Sequence, residues 1–209
     1  MADIFRIVVQ FAVVLFALSV HESAHAWSAD KFGDPTARLM GRVTLNPLAH
    51  IDLIGTIIIP LILVWAGGPV FGWAKPVMVN PNNLRNRRRD GMLVSAAGPI
   101  SNLLVAGATI LVFLALRSAH LLLSVPLVTI LLFLIIINIY LAVFNLIPIP
   151  PLDGSGVLEG VLRGDALRFY EQIKPYGFFI LIIVIYTHLL DYIADPIFRL
   201  VMKILGLGA

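Results

Sequence analysis

Apolar residues run along this chain in long blocks rather than at alternating positions, and the polar breaks between blocks outline the elements. Ile4 to Val20 is broken only by Arg6, Gln10 and Ser19. At 1.5 Å per residue it covers roughly 25 Å of a bilayer core about 30 Å thick. It predicts a first transmembrane helix with His21 near its far boundary. Met92 to Leu116, which contains Gly98-Pro99 and Asn102, predicts a second span. Leu127 to Phe144, interrupted by Thr129, Asn138 and Tyr140, predicts a third. The short polar link from Arg117 to Ser124 makes these two antiparallel neighbours. Tyr176 to Leu190 predicts a fourth span, and Ile197 to Leu205, with Arg199 and Lys203, reads as an amphipathic interfacial tail.

The remaining segments are less regular. Residues 27–50 are mixed and carry the Asn46-Pro47 breaker, so they read as a connection at the membrane edge. Ile54 to Ala66 is apolar but short for a span and holds Gly55 and Pro60, which predicts a re-entrant or peripheral segment. In residues 71–81, Phe71, Trp73, Val77 and Val79 flank Lys75-Pro76, the pattern of extended chain or an edge strand. "NLIPIPPLDGSG", residues 145–156, cannot form regular helix. Irregular backbone at that depth is tolerated only where protein covers it or it lines a cavity. The fold class that follows is an all-α polytopic membrane protein. It has about four transmembrane helices, a re-entrant or short membrane segment, and a small extended/β region at 71–81. No repeat or soluble appendage divides residues 1–209, which read as a single membrane-embedded domain.

Composition agrees: the 209 residues are 59% hydrophobic and 13% charged, with a mean hydropathy of +0.96 that soluble domains do not reach. The first run has no small-residue cleavage site and is expected to stay as a helix rather than be removed as a signal. Cysteine is absent, so disulfides and thiolate metal sites are excluded and any metal must be held by His, Asp, Glu or carbonyl groups. The basic balance does not point to nucleic acid. Arg85, Arg87, Arg88 and Arg89 sit together in one connection, where they read as a topology signal or a charge run facing lipid headgroups.

Candidate chemistry lies in "HESAH", residues 21–25. On a helix, positions i and i+4 share a face, so His21 and His25 can hold one metal ion while Glu22 reaches a water beside it. Zinc fits an imidazole site that takes three protein ligands and keeps a fourth position open. It lowers the pKa of its water to about 7, and a carboxylate base can then deliver hydroxide to a carbonyl. The third ligand should come from elsewhere at the same depth. Asp153, which follows the proline-rich break, is the natural candidate, whereas His50, His120 and His188 read as structural or interfacial. The same cluster could instead serve a membrane metal-ion transporter or sensor, or line the interior of a silent scaffold.

Topology constrains this site. Asp90 and Asp153 flank the predicted hairpin and lie on one side, so if Asp153 meets the histidines, Trp27 lies there too. Residues 28–90 then cross the membrane an even number of times, and 54–66 is not a simple span. Lys31, Arg38, Arg42, Lys75 and the arginines at 85 and 87–89 would share that face, which the positive-inside rule makes cytoplasmic.

Taken in order, HESAH in a first hydrophobic helix, "GRVTLNPLAHIDLIGT", "FGWAKPV", "AAGPISNLL" and "NLIPIPPLDG" resemble the site-2 proteases, the intramembrane zinc metalloproteases. The likeness covers about residues 15–160 and is closest to the minimal subtype without PDZ or CBS domains. It implies one zinc ion per chain on His21, His25 and Asp153, with Glu22 as general base. It also implies that Asn102 and Asn145 support the substrate peptide or its oxyanion. An asparagine inside a span is equally consistent with interhelical hydrogen bonding. The 71–81 region resembles a family segment that pairs with substrate as an added strand. The expected activity is hydrolysis of peptide bonds within or near transmembrane segments of membrane proteins, as a step of regulated intramembrane proteolysis. The expected location is a prokaryotic plasma membrane, with the site near the cytoplasmic face. The expected partners are a transmembrane substrate and the lipid bilayer, with no nucleic acid; a regulatory membrane partner or a homo-oligomer stays open.

Overall fold

A computed structural model describes residues 2–65, 72–120, 124–187 and 189–207. Phe71, Ala66 and His188, which figure in the expectations above, lie outside the described residues. The chain is 76% helical, and no strand forms among the described residues. The order is α1 (Ala2–Lys31), α2 (Thr36–Leu39), a 3₁₀ turn at Pro47–Ala49, a π-helical segment at Leu53–Ile58 continuing into α3 (Ile59–Trp65), α4 (Arg87–Ser118) and α5 (Val125–Asn145). Then come α6 (Asp153–Val161), α7 (Gly164–Ile173), a 3₁₀ turn at Lys174–Tyr176, α8 (Gly177–Tyr186) and α9 (Leu189–Ile204).

Four helical stretches are long and apolar enough to cross a membrane: Ile7–Lys31, Arg87–Ser118, Val125–Asn145 and Gly164–Tyr186. Their outer faces carry large apolar side chains such as Leu104 and Leu111, each 69% exposed, which is the surface that lipid rather than water covers. The Leu53–Leu63 stretch is apolar but too short to be among them.

The first helix outlasts its hydrophobic block. α1 runs on through HESAH to Lys31, where the chain turns at Gly33 with φ 111 and the Asp34 N–H returns to the Ala29 carbonyl. Such a left-handed cap favours glycine. Here a side chain at Gly33 would also press on the Asn83 carbonyl, so the turn packs against the approach to α4. Polarity therefore did not end this helix, and residues 27–31 of the expected connection belong to it.

α4 starts at Asn86, whose side chain accepts from Arg89 N while Asp90 accepts from Asn86 N. These bonds satisfy donors that the first helical turn leaves free. α4 and α5 pack as the predicted hairpin, and α1 lies against both. Where α4 and α5 meet the C-terminal helix, Phe113, Ile135 and Ile139 pack with Val201 and Leu205. The tail read as amphipathic and interfacial packs its apolar stripe on the hairpin, and Arg117 closes its end by donating to the Leu205 carbonyl.

The described part of the extended region, residues 72–81, forms no strand, because no neighbouring strand among the described residues offers it a ladder. It is part of a strap, residues 72–83, tied at both ends. Thr56 Oγ1 donates to the Trp73 carbonyl at 2.8 Å and Lys75 N to the His50 carbonyl at 2.8 Å. At the other end the buried carboxylate of Asp34 accepts from Asn80 N at 2.6 Å and from Asn83 Nδ2 at 2.8 Å. Burial alone would raise the Asp34 carboxyl. The bonds from Thr36, Asn83 and Asn80 outweigh that and hold it below the ordinary carboxylate range.

Candidate metal centre and active site

His21 and His25 project from one face of α1, with Nε2 atoms 3.1 Å apart and rings edge-on at 4.7 Å between centroids. Asp153, the first residue of α6 after the proline-rich break, brings Oδ2 to 3.0 Å from His21 Nε2 and 3.2 Å from His25 Nε2. Three donor atoms thus form a nearly equilateral triangle. Bonds of about 2 Å at tetrahedral angles require ligand atoms roughly 3.3 Å apart, so this triangle has the size of three corners of a zinc tetrahedron.

The surroundings orient these donors. His21 Nδ1 meets Asn102 Oδ1 at 2.6 Å and His25 Nδ1 meets the Val94 carbonyl at 2.7 Å. Each acceptor draws the ring proton to Nδ1 and leaves Nε2 with a free lone pair, the tautomer a metal ligand needs. Asp153 Oδ2 is buried with no hydrogen-bond donor. A carboxylate oxygen left in that state is costly unless a cation answers it. α4 comes so close at Gly98 that a Cβ there would overlap both imidazoles. Two neutral imidazoles and one orphaned carboxylate oxygen are a borderline-hard donor set, and they fit zinc. Among the described residues this is the group of His, Asp and Glu side chains close enough to share one ion.

Asn102 is fully buried between three helices. Its amide donates to Asn138 Oδ1 at 2.8 Å and to the Ala17 carbonyl at 3.2 Å, and Asn138 Nδ2 in turn donates to the Leu134 carbonyl. Both amide protons of Asn102 are therefore spent on protein acceptors, and its oxygen faces His21. Asn145 lines the cavity described below and donates to the Leu141 carbonyl one turn back. His50 is buried away from the triangle, bonded to the Thr44 carbonyl at 2.8 Å, and His120 lies in the α4–α5 connection.

Glu22 Oε2 accepts the backbone N–H of Val77, in the middle of the strap, at 3.1 Å. Glu22, the histidines and Asp153 all line one cavity of about 1020 Å³. Its walls come from α1, the strap, α4, the end of α5, α6 and α7. The roles of Val77, Val94, Gly98 and Asn138 at the site were not legible in the sequence. Of these, Asn138 left a visible signal, since an amide inside an apolar span needs a partner. The others act through backbone atoms or the absence of a side chain.

A helical membrane fold with a His–His–Asp metal triangle and an adjacent glutamate defines a class of metalloenzyme, and comparison with known proteins identifies the family. Residues 119–185 match the model of peptidase family M50. The chain is 40% identical over 187 residues to "Putative zinc metalloprotease YwhC" of Bacillus subtilis (strain 168), covering 88% of this chain and 82% of that protein. It is 31% identical over 178 residues to "Putative zinc metalloprotease Rip2" of Mycolicibacterium smegmatis, covering 85% and 66%. The protein of the same name in Mycobacterium tuberculosis (strain ATCC 25618 / H37Rv) is 32% identical over 173 residues, covering 81% and 63%. No solved structure matches the chain. The chain belongs to peptidase family M50, the site-2 proteases: it is a membrane protein and a zinc metalloprotease. Metal transport or sensing by the same cluster is not favoured.

Proposed function

We propose that this chain is an HExxH-type endopeptidase that hydrolyses peptide bonds within or near transmembrane segments of other membrane proteins. The observation that carries this reading is the depth of the triangle. By helical rise, Gly98 stands about 16 Å from the Arg87 end of α4, inside an apolar span, so the bond brought to the site must also enter the membrane. The cavity supplies the room and the wet wall that hydrolysis there requires.

His21, His25 and Asp153 would hold the zinc, which would supply Lewis acidity toward the scissile carbonyl. Asn102 and the Val94 carbonyl keep the two imidazoles in register. Glu22 takes a proton from the attacking water on its carboxylate and returns it to the departing amine, so that the residue ends the cycle ionised. Val77, through its N–H, holds Glu22 at the edge of the cavity where that proton moves. Asn145 offers a polar wall for the substrate chain. The strap is the segment against which an unwound substrate would lie, since an extended target exposes the carbonyls that a helix hides.

The location that suits this activity is a prokaryotic plasma membrane. Positive-inside bias supports a cytoplasmic side for the end of the bundle bearing Lys31, Arg38 and Arg87–Arg89. Residues 1–209 act as one membrane-embedded domain on a transmembrane substrate, alone or with a further membrane protein. The test is direct. Purified wild type and Glu22→Gln, incubated with transmembrane peptides and read by mass spectrometry, should differ in cleavage while holding equal zinc. Cleavage by the variant at the wild-type rate overturns the assignment.

A further inference from the structure

The cavity is chemically two-ended. Beyond the triangle its wall is apolar, with Leu18, Leu141 and Phe144. At the other end it is lined by Arg87, Arg88, Glu159, Glu171 and Lys174. A segment lying across the site therefore leaves through a charged mouth, and the groups there that are not already paired decide what it prefers.

Most of these charges are spent. Arg88 donates through Nε to the Gly160 carbonyl at 3.0 Å and through Nη2 to the carbonyls of Val161 and Leu162, so it closes the C-terminal end of α6. Lys174 Nζ pairs with Glu159 Oε1 at 2.5 Å. Among the described residues, Arg87 makes no ion pair, and neither do Arg85 and Arg89 on either side of it. At this mouth Glu171 is a carboxylate in the same condition. Arg87 thus lines a mouth where three basic groups, Arg87, Arg88 and Lys174, stand against two carboxylates, Glu159 and Glu171, and Arg85 and Arg89 add positive charge at the same end of the chain segment. Arg87 is also the first residue of α4, where the helix dipole adds to its positive field.

We propose that Arg87, reinforced by Arg85 and Arg89, selects substrates that carry an acidic residue on the water-side flank of the cleaved segment. The inference rests on the proteolytic reading above and names the substrate class of that same site. The pairing is solvent-exposed, so it acts as a preference among substrates. A surface ion pair corresponds to about a two- to fivefold change, and one that salt screens.

The test uses the zinc-loaded full chain in vesicles of neutral phosphatidylcholine, with two transmembrane peptides that differ only in an Asp-Asp or Lys-Lys flank. Wild type should favour the acidic flank by about two- to fivefold in kcat/KM at low salt, and the ratio should shrink at high salt. Arg87→Glu should invert the ratio, and Arg87→Gln should bring it near one. An acidic residue is welcome in the first turn of a helix, so the reversal does not threaten α4. An unchanged ratio in Arg87→Glu, or no preference in wild type, overturns the assignment. So does a preference that emerges only when phosphatidylglycerol is added, because Arg87 then serves a lipid headgroup. Wild type that cleaves neither peptide brings down the proteolytic reading together with this one, whereas cleavage without charge preference removes Arg87 alone.

Discussion

Val77 donates its backbone N–H to Glu22 Oε2 at 3.1 Å, joining residues 55 positions apart. The glutamate of the HESAH motif is therefore oriented by main chain rather than by a side chain, from a strap that forms no sheet. The arrangement makes the glutamate sensitive to a substitution that leaves side-chain chemistry almost untouched. Val77→Pro, which deletes the donor, should lower kcat roughly tenfold or more, given that a hydrogen bond to a charged group contributes about 1.5–3 kcal/mol. Val77→Ala, which keeps the donor, should stay within a factor of about two. Steady-state cleavage assays with zinc content as control distinguish this from loss of the metal.

Asn102 should act on metal affinity rather than on the chemical step. Asn102→Ala removes the acceptor for His21 Nδ1 and frees the ring to turn. Losing such a partner typically weakens zinc binding by about 10- to 100-fold. Competition with a chromophoric chelator measures it. Asn138→Leu, one bond further from the metal, should weaken zinc by less than Asn102→Ala does.

Gly98→Ala places a methyl group against both imidazoles and should cost zinc binding at least tenfold. Neighbouring Ser101 donates to the Gly98 carbonyl one turn back. Ser101→Ala should therefore leave zinc content at the wild-type level. Metal analysis of the purified variants checks both.

Asp34 gives the strap a pH dependence. Its carboxyl is held below the ordinary range in the folded chain, so its contribution is complete above the unfolded value near 4 and is lost as pH falls through the lower folded value. The gap in Tm between wild type and Asp34→Asn should be constant from about pH 5 to 8 and close as the medium becomes strongly acidic. Thermal melts in detergent across that range report it. A gap that widens toward acid contradicts the assignment.

The spans were legible because a bilayer demands long apolar blocks, and the triangle was legible because i, i+4 spacing leaves two imidazoles in want of a third ligand. What escaped depended on partners far along the chain. Asn102 could read as an oxyanion donor or an interhelical bond, and only the position of Asn138 and Ala17 settles where its protons go. The end of α1 was hidden because Gly33 stops it, several residues beyond the last apolar block. The apolar stripe of α9 does not reveal whether lipid or the α4–α5 hairpin will cover it, and Phe113 and Ile135 supply the answer.

The triangle also bears on how the bundle holds together. His25 lies in the first helix and Asp153 at the start of the sixth, so one ion bound between them would gather distant parts of the chain into a closed ring. A crosslink over a ring of that length suppresses the disorder of the unfolded chain as a disulfide does. In a protein without cysteine, zinc would then serve as its clasp.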